Sequence, residues 1–105
     1  MDNTLVMDEN HLQMVLSFLQ RFLPDTPVWA FGSRVSGKAY PWSDLDIVLF
    51  STPEQRSCVS LLREALEESA LPFRVDILEW NTLNENFRQN ISAHYIPLAA
   101  ATEKK

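Results

Sequence analysis

FGSRVSGKAYPWSDLDIVLF, residues 31 to 50, decides how this chain folds. Its last seven residues, DLDIVLF, have the branched and aromatic content of a central strand, yet they carry Asp44 and Asp46. Residues two apart on a strand share a face, so the two aspartates point together while Leu45, Ile47 and Leu49 point the other way. Their alpha carbons lie roughly 6.5 Å apart, close enough for the carboxylates to converge. Left uncompensated, that pair is unfavourable. Magnesium, which takes hard oxygen ligands and keeps water and substrate phosphates in its shell, gives the arrangement a purpose.

Upstream, VWAF at 28 to 31 reads as a short strand closed by Gly32, with a single helical turn starting near Ser33. A turn leaving a strand for a helix presents backbone N–H groups to phosphate oxygens, and the Ser33 hydroxyl adds a donor. A tight turn capped by Ser33 has the same local geometry, so both readings hold together. Arg34 and Lys38 are near enough in sequence to meet a triphosphate, Arg34 being nearer the turn; a solvated surface role is the alternative for each. GSRVSGK is not a P-loop, because the glycine spacing and the hydroxyl residue after the lysine are missing.

Downstream, STPE starts a helix with Ser51 or Thr52 as cap and Pro53 in the first turn, and Pro72 stops it. FRVDILEW at 73 to 80 is the third strand, and its Asp76 lies between Val75 and Ile77, which face the opposite way. If the second and third strands are neighbours, Asp44, Asp46 and Asp76 share one face. That geometry holds two divalent ions near 4 Å apart, a clamp for the attacking and leaving oxygens of nucleotidyl transfer. Asp76 then serves the ion that activates the incoming hydroxyl and accepts its proton. The alternatives are solvation of a strand end for DLD, and a strand-end cap or an ion pair with Arg74 for Asp76.

The rest of the chain completes a small α/β (α+β) domain, a mixed sheet flanked by helices. An amphipathic helix runs from Glu9 to Leu23 with Leu12, Val15, Leu16, Leu19, Phe22 and Leu23 on one stripe. A last helix from about Asn84 to Tyr95 precedes Pro97 and LAAATEKK, read as a fraying tail from about residue 98. The expected order is helix, strand, short turn, strand, helix, strand, helix, as one domain over residues 1–105. Trp29 and Trp80 read as packing residues, and Trp42 as either packing, a stacking contact with the base or a contact with the partner.

The chain has 105 residues, a net charge of -5, 46% hydrophobic and 22% charged residues, which fits one folded domain without room for a second core. Scattered basic residues argue against a tight nucleic-acid footprint, while a cation-loaded carboxylate pocket still takes a nucleotide. One cysteine, Cys58, rules out an intrachain disulfide. With no recognisable signal peptide and no membrane span, a cytoplasmic protein is expected.

Gly-Ser, ten intervening residues, Asp-x-Asp and a third aspartate in VDI resemble the nucleotidyltransferases related to DNA polymerase beta, specifically their minimal bacterial members. The resemblance spans about residues 28 to 80. It implies a mixed-sheet core in which Gly32 and Ser33 hold the nucleotide phosphates, and Asp44, Asp46 and Asp76 hold two magnesium ions. It also implies ATP as substrate and a HEPN-domain ribonuclease toxin as partner, with AMP transferred to a toxin tyrosine and the chain acting as antitoxin. Two other functions stay open: a non-catalytic nucleotide-binding module that neutralises its partner by occlusion, and a transferase for a small molecule of the aminoglycoside type. After residue 80 the chain has little left to build an acceptor site, which favours a protein acceptor.

Overall fold

A computed structural model describes residues 5–37, 40 and 43–99. Lys38 and Trp42 lie outside the described residues. The order is α1 (Glu9–Phe22), β1 (Val28–Phe31), α2 (Ser33–Ser36), β2 (Leu45–Leu49), α3 (Arg56–Glu67), β3 (Val75–Glu79), α4 (Glu85–Ala93) and β4 (Ile96–Ala99), with 3-10 turns at Pro53–Gln55 and Trp80–Thr82.

Local chemistry sets most boundaries. Asp8 caps α1 by accepting from Asn10 N at 2.8 Å, and Leu23 closes it by donating to Leu19 O. The turn before α3 starts at Thr52, whose N–H donates to Gln55 Oε1 at 2.8 Å; Gln55 Nε2 in turn donates to the buried Thr26 Oγ1 just before β1. Asn84 caps α4 through Phe87 N.

The sheet has strand order β3-β2-β1-β4. β1 runs antiparallel to β2 and to β4, whereas β2 and β3 are parallel and joined across α3, as two parallel neighbours require. One face is the main core. Val28 and Ala30 of β1, Leu45, Ile47 and Leu49 of β2 and Ile77 of β3 pack with Val15 and Leu19 of α1 and Val59 and Leu62 of α3, and each fully buried aliphatic chain contributes about 1.5–3 kcal/mol. The opposite face carries Trp29, Phe31, Asp46, Val48, Asp76 and Leu78 by strand alternation. An aromatic cluster covers part of it: Trp29 stacks on Tyr95 with centroids 3.7 Å apart and meets Phe50 and Trp80 edge-on. Trp29 and Trp80 are therefore packing residues.

The expected fraying end is corrected. Ile96–Ala99 form a fourth strand, in which Ile96, Pro97 and Ala99 pair with β1 and Leu98 falls at the register shift, so among the described residues the sheet has four strands rather than three. Pro97 sits opposite Trp29 where the register shifts, on an edge strand, which is where a residue without an N–H is tolerated.

Candidate active site

β2 and β3 pair in register, Asp46 opposite Asp76. On the other side of β2, Asp46 is opposite Phe31, the last residue of β1. The chain then turns at Gly32, whose φ of 84° is open to glycine and costly for other residues. A Cβ built there would overlap Asp46 Oδ2, so the turn lies directly against that carboxylate. Val35 N and Ser36 N both donate to Gly32 O, which closes the single turn α2 with Ser33 half-buried at its start.

Asp44 stands just before β2 rather than within it, and its carboxylate still reaches the same group as Asp76. Arg74 Nη2 is 3.4 Å from Asp44 Oδ2, and Arg74 Nε is 3.2 Å from Asp76 Oδ1. The ion pair weighed for Asp76 therefore exists, and it coexists with the three-carboxylate arrangement. Leu45 N donates to Arg74 O at 2.9 Å, which extends the β2–β3 pairing to this corner.

Burial and charge crowding meet at Asp46. Its partial burial, then Asp76 and Asp44 nearby, and a contact in which Asp46 and Asp76 share a proton, push its pKa up to about 6; Arg74 opposes the shift. These are hard oxygen donors on adjacent strands with more negative charge than the fold itself neutralises, a donor set that suits magnesium. With Arg74 between Asp44 and Asp76, no group of three His, Cys, Asp or Glu among the described residues already converges as a cation cage. A cleft of about 640 Å³ opens beside the carboxylates, lined by Phe31, Asp46, Asp76, Arg63, Arg74 and Phe87 among others.

Arg34, in the turn after Gly32, is buried. Its side chain is 3% exposed, with Nε and Nη2 donating to Ser43 O at 3.0 and 2.8 Å and Nη1 donating to Val6 O at 2.7 Å. The guanidinium also lies 4.4 Å from the Phe73 ring centroid. Burial lowers its pKa and Asp44 partly restores it. Arg34 thereby ties the segment before α1 to the residues that lead into Asp44. The sequence reading also left out Arg74 as a site residue and Phe87 as a wall of the cleft. Arg74, two before Asp76 on the same strand edge, was the available signal.

The polymerase beta nucleotidyltransferase family model matches residues 17–104. The chain belongs to that family. Its match includes the Gly32–Ser33 turn, both strands of the carboxylate pair and the β4 strand, so the family assignment and the geometry describe the same unit. The chain is 45% identical over 93 residues, 88% of its length and 82% of the relative's, to a protein of Haemophilus influenzae named "Probable protein adenylyltransferase MntA". As a member of the family it is an enzyme with a nucleotidyltransferase fold. Among the described residues no helix is long and apolar enough to cross a membrane.

Proposed function

We propose that this chain is a magnesium-dependent protein adenylyltransferase that moves AMP from ATP to a tyrosine hydroxyl of a partner HEPN-domain ribonuclease, and so acts as its antitoxin in the cytoplasm. The observation that carries the chemistry is the Asp46–Asp76 register with the Gly32 turn laid against Asp46. The protein acceptor rests on the adenylyltransferase named among its relatives and on the resemblance to minimal antitoxin nucleotidyltransferases.

Asp44, Asp46 and Asp76 would hold the ions. Bound magnesium supplies charge neutralisation for the triphosphate and acidifies the incoming hydroxyl. The Gly32–Ser33 turn receives phosphate oxygens at a point where no Cβ stands in the way. Lys38, outside the described residues, is placed in sequence to meet the triphosphate as a point charge. Arg34, whose Nε, Nη1 and Nη2 donate to backbone carbonyls, is assigned to bracing rather than to the phosphates in this reading. Asp76 takes the proton of the acceptor hydroxyl as its oxygen bonds to the alpha phosphorus. The bond from that phosphorus to the bridging oxygen breaks, and pyrophosphate leaves.

Intact-mass measurement of the protein encoded beside this chain, before and after incubation with the chain, ATP and magnesium, tests the reading. A gain of one or more adenylyl groups is expected. An unchanged mass together with full neutralisation of the partner would replace transfer by steric occlusion.

A further inference from the structure

Arg74 holds two of the three carboxylates, and it does so at the surface. Its side chain is 70% exposed, while its main chain is fixed by the hydrogen bond from Leu45 N. Nη2 and Nε are 3.4 and 3.2 Å from Asp44 Oδ2 and Asp76 Oδ1, ordinary contacts without buried surroundings. Solvent-exposed pairs of this kind are weak. A divalent cation coordinated directly by the same oxygens is a stronger partner. A cation bridging those two oxygens would stand where the guanidinium stands and repel it, so the two compete for the same carboxylates.

We infer that Arg74 is a displaceable counter-ion of the carboxylate cluster: it pairs with Asp44 and Asp76 in the ion-free protein and must leave them when a divalent cation binds. The inference rests on the reading of these carboxylates as ion ligands. Arg74 is a positioning residue in this account, offsetting the charges of Asp44 and Asp76 beside Asp46 until the cation arrives. Its cost falls on the free ion. A cation arriving with a nucleotide brings phosphate oxygens to the cleft that Arg74 lines, and these give the released guanidinium an anionic partner. Ion and nucleotide are thereby coupled through one side chain.

Binding of Mn2+ alone to the full chain, followed by loss of the free-ion paramagnetic resonance signal, tests this without any turnover. Arg74→Gln keeps much of the stem and removes the charge, and is expected to bind Mn2+ about three- to tenfold more tightly than the wild type, the range that two weak competing pairs set. Arg74→Lys, which keeps a positive charge, should stay near the wild type. In the wild-type protein the Arg74 Nε–H resonance should move as Mg2+ saturates the site, a readout that needs no folded variant. Equal or weaker Mn2+ binding by Arg74→Gln, or an Arg74 resonance that ignores Mg2+, overturns the inference. Asp46→Asn separates the two layers: if it loses Mn2+ binding while Arg74→Gln matches the wild type, the ligand reading stands and only the counter-ion role falls. If wild type and Asp46→Asn bind alike, both fall.

Discussion

Asp46 of β2 and Asp76 of β3 face each other across a parallel ladder, with Phe31 of β1 opposite Asp46 on its other side. Backbone pairing thus fixes two like charges as neighbours, and their repulsion is built in by the fold rather than relieved by it. Side-chain motion relieves it only partly, since Arg74 reaches Asp44 and Asp76.

Removing one of these charges should separate stability from catalysis. Asp46→Asn keeps the side-chain shape and removes a half-buried carboxylate crowded by two others. Nucleotidyl transfer is expected to fall by about a hundredfold or more, the size of effect seen when one electrostatic contact to a transition state is lost. The ion-free variant should melt at the wild-type temperature or above it, followed by circular dichroism at pH 7. A variant that is both inactive and clearly less stable would assign Asp46 a structural role instead.

Acidity should act on the same group. With an ordinary value of 3.8 raised to about 6, the folded chain keeps a proton on Asp46 that the unfolded chain has lost. Stability from this source is fully present below about pH 4 and is lost as pH rises towards 6. The melting temperature of ion-free wild type minus that of Asp46→Asn should therefore decline across that window. Saturating Mg2+ should flatten the decline, because the ion offsets the charge that the proton offset.

The two glycines should respond differently to the same substitution. Gly32 and Gly37 both have positive φ, 84° and 87°, so alanine costs each about 1–2 kcal/mol of backbone strain. Only at Gly32 does the new methyl also meet Asp46; at Gly37 nothing stands within 4 Å. Gly37→Ala should lower stability in urea titration and spare transfer measured at low temperature. Gly32→Ala should lower both, and equal activity in the two variants would remove the close approach from the account.

Arg34 should behave as a brace. Arg34→Met leaves apolar volume beside Phe73 and takes the donors from Val6 O and Ser43 O. A loss of about 1–3 kcal/mol is expected from two part-buried acceptors left short of partners. In the fraction that stays folded, KM for ATP should be unchanged. A raised KM at unchanged stability would return Arg34 to the phosphates.

What the sequence made legible followed from local spacing. Two-residue periodicity put Asp44 and Asp46 on one side of Leu45, Ile47 and Leu49, and the VDI triplet placed Asp76 by the same rule. The Gly32–Ser33 turn was readable because only a special backbone position needs glycine straight after a strand. What was not legible depended on contacts distant in the chain. Arg34 is buried because Val6 and Ser43 offer it carbonyls, and no local pattern announces that. β4 is four residues long and contains Pro97, so propensity argues against it, while the open edge of β1 supplies the partner that makes it a strand. The bridge from Arg74 to Asp44 joins residues 30 apart, and it exists because β3 lies beside β2.

The most direct test of the central claim uses ATP labelled at either the alpha or the gamma phosphorus, with magnesium, the partner protein, and wild-type or Asp46→Asn chain side by side. The account predicts that wild type leaves alpha label, and no gamma label, covalently on the partner, and that Asp46→Asn leaves neither. Alpha label deposited equally by both chains, or gamma label retained on the partner, would contradict it.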